Sequence, residues 1–159
     1  MTAEQTAAER YTERIEAQVD ELARVIAAAT DEHWFRRPGP EEWTAAEVCG
    51  HVAEMLPYWA EQAELVAANG GGVPFGRVKS DPARIAAIER DRRDDPDALL
   101  DRIDQGVERV LALLDRLSPA DLAQTGSHQT RGEMTVARII DEFIVEHLEE
   151  HAEQIERAG

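Results

Sequence analysis

Apolar residues recur at steps of three and four through four long segments of this chain, and that spacing admits amphipathic helices with one buried face. The first segment spans about residues 3–29, with Ala8, Tyr11, Ile15, Val19, Leu22, Ile26 and Ala29 on one stripe. Thr30-Asp31 then opens a short turn that ends near Pro38-Gly39-Pro40, where the prolines stop a helix. The second segment starts at Thr44, because Thr44-Ala45-Ala46-Glu47 spells a capping box and Trp43 and Val48 are placed to staple it. It runs to about Ala68, carries Pro57, which predicts a kink, and ends at Asn69-Gly70-Gly71-Gly72. The third opens at Asp95-Pro96, an N-cap followed by proline at the first helical position. Its stripe is Leu100, Ile103, Val107, Val110, Leu114 and Leu117, and Ser118-Pro119 ends it and can start one more turn. The fourth follows a polar loop from Gln124 to Glu133 and takes Thr135 as its N-cap. Val136, Ile140, Phe143, Ile144, His147, His151 and Ile155 share its inward face up to about residue 157. Between the second and third lies a Gly- and charge-rich connection, with a short helix starting at Ser80-Asp81-Pro82 and passing Ile85 and Ile88.

Strand signals are scarce, and Ala, Glu, Leu and Arg, all good helix formers, dominate. The predicted fold is therefore all-α: a four-helix bundle, with residues 1–159 as one domain and no internal repeat, low-complexity tract or linker to divide it. At 159 residues the chain is long enough to bury its own core. One cysteine cannot form an internal disulfide. With 33 acidic against 17 basic residues the formal charge is −16, which repels phosphate and predicts no nucleic-acid partner. No apolar run approaches the roughly 18 residues a membrane helix needs. Met1-Thr2-Ala3-Glu4-Gln5 lacks the basic and apolar blocks of a signal peptide, so a cytoplasmic chain is expected.

The chemistry lies in the histidines. Of the five, His51 lines up with Val48, Met55 and Trp59 on the second segment, and His147 and His151 are one helical turn apart on the fourth. His51 follows Thr44 by seven residues, roughly 10 Å along a helix. The midpoint of His147 and His151 precedes Arg157 by eight residues, roughly 12 Å. The three meet at one level if segments two and four are antiparallel. That requires up-down-down-up order, and the 26-residue connection 70–95 is long enough to be the crossover. Three neutral imidazoles with an open fourth position suit catalytic zinc, although nickel, copper and iron also accept imidazole. The acids of the last helix, from Asp141 to Glu156, are candidates to orient the ring nitrogens, and Glu54 to do the same or to serve as a base. His33 and His128 fall in loops and are read as solvated; Cys49, Trp34, Trp43 and Trp59 are read as packing residues.

The stretch Arg37-Pro38-Gly39-Pro40-Glu41-Glu42-Trp43-Thr44-Ala45-Ala46-Glu47-Val48-Cys49-Gly50-His51-Val52-Ala53-Glu54 resembles the entry to the second helix of DinB-like proteins. So does the end of the chain, from His128 through Gly132 and Thr135 to His147-Leu148-Glu149-Glu150-His151-Ala152-Glu153-Gln154-Ile155, with the His-x-x-x-His-x-x-Gln-Ile pattern of the family's last helix. The resemblance implies an up-down-down-up bundle and a divalent ion, zinc or nickel, held by the residues matching its three histidines: His51, His147 and His151. It also implies chemistry with a low-molecular-weight thiol such as mycothiol, bacillithiol or glutathione, and self-association as a homodimer. The domain resembles the metal-binding part of mycothiol-dependent maleylpyruvate isomerase, whose additional C-terminal domain has no counterpart here, so its isomerase activity is not expected.

Two function classes are open. One is a metal-dependent thiol S-transferase, acting on a small thiol and an electrophile that enters from the open metal position. The other is a non-catalytic metal-binding stress-response bundle, for which a capped fourth position would speak. Without an ion, the acidic last helix is expected to favour imidazolium, so that metal affinity falls as pH drops through about 7 to 5.

Overall fold

A computed structural model of the chain describes residues 6–77, 81–91 and 95–157. The expected helix start at residue 3, Ser80 and the side chain of Ile88 lie outside them.

Helix α1 (Ala7–Ala28) begins where the Thr6 hydroxyl accepts the Glu9 amide, and the short α2 (Asp31–Phe35) is capped in the same way by Thr30. The predicted turn after Thr30 is thus a helix, which buries Trp34. Helix α3 (Ala45–Asn69) carries the predicted capping box: Glu47 N donates to the Thr44 hydroxyl at 3.1 Å and Thr44 N to the Glu47 carboxylate at 3.0 Å. It runs unbroken through Pro57 and ends at Gly70, whose φ is 56°. Its first half is buried on every side, from Ala45 to Ala53, which is why small residues crowd it.

The connection that comes next holds strand β1 (Val73–Phe75) and helix α4 (Pro82–Asp91). Helix α5 (Pro96–Arg116) takes Asp95 as N-cap and Pro96 in its first turn, as read from the sequence. The extra turn after Ser118 is α6 (Pro119–Leu122). The polar loop expected from Gln124 to Glu133 is instead a hairpin of β2 (Thr125–His128) and β3 (Gly132–Thr135). β1 joins β2 in parallel, with Val73 opposite Gly126 and Phe75 opposite His128, to complete a three-stranded sheet. Strands of three or four residues offer one or two side chains per face, too few for alternation to register in a sequence. Thr125-Gly126-Ser127-His128 lacks the branched apolar residues that mark strands, so pairing rather than propensity fixes it. The last helical stretch has three parts: α7 (Val136–Ile139), capped by Thr135, a π-helical segment (Ile140–Val145) and α8 (Glu146–Arg157). Periodicity alone did not predict the π segment.

Side-chain pairs set the helix directions. His51 lies beside His151 and Trp59 beside Phe143, so α3 runs antiparallel to the last stretch. Gly106 abuts Leu56 and Arg109 reaches Glu64, so α3 and α5 are parallel. Tyr11 donates to the Ala137 carbonyl near the start of the last stretch, and His33, just past α1, bonds the Ile155 carbonyl near its end, so those two elements are parallel. The order is up-down-down-up, with the 70–95 crossover between the parallel pair. Ile15 and Leu22, Met55 and Leu56, Leu99 and Ile103, and Ile140 and Ile144 meet in one core. Among the described residues no helix is long and apolar enough to cross a membrane.

Candidate metal centre

The capping box fixes the start of α3, and two turns on it presents His51, which is only 5% exposed. The π segment lies immediately before the other two histidines. A π turn holds more residues than an α turn, so it rotates α8 relative to α7. Phe143 in that segment lies flat against Trp59, with centroids 4.3 Å apart and planes 9° apart. His147 and His151 lie on α8. The ring centroids of His51 and His151 are 4.9 Å apart, and those of His147 and His151 are 5.7 Å apart. The structure thus brings the three sequence-predicted histidines to one point on the seam between α3 and α8. The His51 and His151 rings meet edge to face, at 88°. As the side chains stand, no group of three His, Cys, Asp or Glu among the described residues is arranged to hold an ion.

The donor set nonetheless fits one. His51 Nδ1 is buried and makes no hydrogen bond, a state that costs about 1–3 kcal/mol unless something else meets that nitrogen. His151 Nδ1 lies 3.0 Å from Gln154 Oε1, which only accepts, so the proton sits on Nδ1 and the Nε2 lone pair is left for a Lewis acid. Burial, and after it His151, Arg84, His147 and Arg77, pushes the His51 pKa down to about 2. Burial also lowers that of His151, and Gln154 and Glu150 only partly oppose this. Both imidazoles are therefore neutral, the form that ligates. This overturns the expectation that the acidic helix would favour imidazolium. Four of its carboxylates hold arginines instead: Asp141 and Glu149 hold Arg14, Glu142 holds Arg131 and Arg138, and Glu156 holds Arg24. For His151, a glutamine rather than an acid fills the predicted orienting role.

Glu54 is not poised as a base. Its two oxygens take Arg77 in a fork, both at 2.6 Å, with the pair largely shielded from water. His128, read as a solvated loop residue, is 6% exposed on β2. Its Nδ1 accepts from the Thr130 and Arg131 amides, each at 3.2 Å, and its ring also bonds the Arg77 backbone. With both nitrogens engaged it serves as a strut between the hairpin and the crossover. His33 sits half-buried on α2, tied to the Ile155 carbonyl at 3.1 Å. Cys49 is fully buried, and burial raises its thiol pKa, so it is a core residue as read.

A cavity of about 480 Å³ opens onto His51 and His147. Its walls are Trp59, Phe143, His128 and Thr130, and three arginines, Arg77, Arg84 and Arg131, complete it. Sequence reasoning missed those arginines and took Trp59 for packing alone. The usable signal was their position: basic residues of a very acidic chain, set in the crossover and the hairpin turn rather than on the long helices.

Fold and site define the class: an up-down-down-up helical bundle with histidines gathered between its second and last long helices, at the mouth of a cavity. The chain belongs to the DinB superfamily, whose family model matches residues 14–155. Among solved structures, it is similar to YfiT from Bacillus subtilis, described as a probable metal-dependent hydrolase with an unusual four-helix bundle topology. The identity is 17% and the TM-score 0.78, covering 98% of this chain and 89% of that one. It is also similar to the mycothiol-dependent maleylpyruvate isomerase, at 14% identity and a TM-score of 0.75, covering 93% of this chain but 60% of the enzyme. A third likeness is to ClbS, a colibactin self-resistance protein solved with double-stranded DNA, at 15% identity and a TM-score of 0.63, covering 94% of each chain. At these identities the likeness shows the fold. No curated protein matches the sequence significantly.

Proposed function

We propose that His51, His147 and His151 hold a divalent ion, zinc or nickel, and that the protein is a thiol S-transferase using a low-molecular-weight thiol such as mycothiol. The observation that carries this reading is the cavity opening onto His51 and His147, because a purely structural ion would have its remaining position closed. The metal dependence named for YfiT and the mycothiol dependence named for the isomerase support it. A divalent ion supplies Lewis acidity, under which a thiol gives up its proton at neutral pH. The protein's own residues do the rest. His51 and His151 stay neutral through burial, Gln154 holds the His151 ring in orientation, and Trp59 and Phe143 form a dry wall beside the histidines. Glu54 is committed to Arg77, so deprotonation of the thiol is not assigned to a side-chain base.

The test is metal analysis of the purified protein, followed by mycothiol consumption with simple electrophiles. One ion per chain and consumption lost in His51→Ala support the reading. Wild-type metal content in all three histidine-to-alanine variants refutes the ligand set. A metal-loaded protein that consumes no thiol with any electrophile refutes the transferase.

A further inference from the structure

The cavity is cationic in a chain that is not. Acids outnumber bases 33 to 17, yet among the described residues the cavity lining includes three arginines and no aspartate or glutamate. The carboxylates that hold Arg77 and Arg131 are not among those lining residues. Glu54 grips Arg77 in a fork and Glu142 binds Arg131 at 2.6 Å, so each guanidinium is fixed. A guanidinium carries five N–H donors in a rigid plane, and one carboxylate partner leaves donors over. The third, Arg84, comes from α4 and has its guanidinium 5.5 Å from the Trp43 ring. Burial is the first cause that lowers its pKa from the ordinary arginine value and the nearby charge of Arg77 the second, while Glu54 and Asp81 oppose them.

Part of the wall is apolar. Trp59 and Phe143 are stacked, and the Arg131 guanidinium lies 5.6 Å from the Phe143 ring. A volume of about 480 Å³ suits a small molecule and excludes a polymer. The chain also lacks a glycine-rich phosphate loop, and the anchoring groups are fork-shaped guanidinium planes, which match a carboxylate edge.

We infer that Arg84, Arg131 and Arg77 bind the carboxylate of a small organic acid whose apolar part lies against Trp59 and Phe143. The inference deepens the proposed function, in that it rests on reading this cavity as the substrate site and makes the electrophile an organic acid. It does not depend on the ion.

The experiment is isothermal titration of metal-loaded and chelator-treated protein with benzoate and phenylacetate, each beside its neutral amide. The proteins are wild type, Arg84→Gln and Arg131→Gln, with folding checked by circular dichroism. Arg131 is substantially exposed, so Arg131→Gln remains informative even if Arg84→Gln fails to fold. At least one acid should bind tenfold or more tightly than its amide, with or without metal, since a hydrogen bond to a charged group is worth that factor. Each arginine variant should lose about tenfold for the acid and nothing for the amide. Equal binding of acid and amide, no saturable binding of either acid, or folded arginine variants that bind like wild type would each overturn the inference. So would acid binding only by metal-loaded protein, which would make the ion the carboxylate's partner, or inorganic phosphate binding as tightly as the acids. If the acids bind as expected while the protein takes up no metal, the metal reading fails and this one stands.

Discussion

The buried His51 ring makes a prediction about acid stability that can be worked through. An exposed histidine in the unfolded chain takes up a proton near pH 6.5. In the folded chain burial pushes the His51 pKa down to about 2, so over the accessible range only the unfolded state binds that proton. Lowering the pH therefore favours unfolding, beginning near 6.5 and growing with each further unit. The linkage contribution is RT ln(1 + 10^(6.5 − pH)), about 0.2 kcal/mol at pH 7 and about 2 kcal/mol at pH 5. His151, shifted the same way, adds to it. The assay is urea unfolding of chelator-treated protein at pH 7, 6 and 5. A fall of about 2 kcal/mol corresponds to a midpoint shift of roughly 1 M. His51→Leu keeps a comparable volume, removes the proton site and removes the orphaned Nδ1. It should be at least as stable as wild type at pH 7 and should lose about 2 kcal/mol less on going to pH 5. Parallel pH profiles for the two proteins would refute the reasoning, because they would mean that His51 titrates alike folded and unfolded.

His147→Ala and His151→Ala should each lose most bound metal while melting near the wild-type temperature after chelation, because the bundle has its own core; metal stoichiometry with calorimetry checks both. Gln154→Leu should weaken metal binding about 10- to 100-fold, measured by competition with a chelator dye, with helicity unchanged. Gly76→Ala should destabilise the protein by about 1–3 kcal/mol in urea unfolding, because Gly76 has φ 88° and a Cβ there would come within 2.5 Å of the His128 ring. Light scattering at micromolar concentration should give twice 17.7 kDa if the homodimer that the family resemblance implies forms, and the monomer mass would reject it.

The long elements were legible because their signals are local and repeated. The Thr44 capping box, the Asp95-Pro96 start and the stripe from Ile103 to Leu114 are each set within a few turns, and each formed as read. The meeting of His51, His147 and His151 could be anticipated because helices convert residue number into height. What escaped depends on partners distant in sequence. His128 reads as polar and loop-bound until β1 pairs with β2 and brings Phe75 opposite it. The neutral state of His51 and His151 depends on burial between helices, which outweighs Glu150 beside His151, while Glu149 and Asp141 hold Arg14. The π segment breaks the period on which the reading of the last helix relied, directly before the two histidines.

The crossover joins these observations. Two parallel neighbouring helices, α3 and α5, cannot be joined by a tight turn, so the chain must return over the full height of the bundle between residues 70 and 95. That return path passes the mouth of the histidine site. On the way it pairs β1 with the hairpin, places Gly76 against His128 and Trp59, anchors Arg77 to Glu54, and carries Arg84 over Trp43. A simple up-down-up-down bundle would need no such segment and would set His51 far from His147 and His151. The topology that brings the histidines to one level therefore also requires the connection that walls the cavity beside them. On this reading the histidines belong to the helices of the bundle, while the crossover and hairpin supply the arginines. Selectivity for the molecule that enters should accordingly depend on Arg77, Arg84 and Arg131 rather than on the helical core.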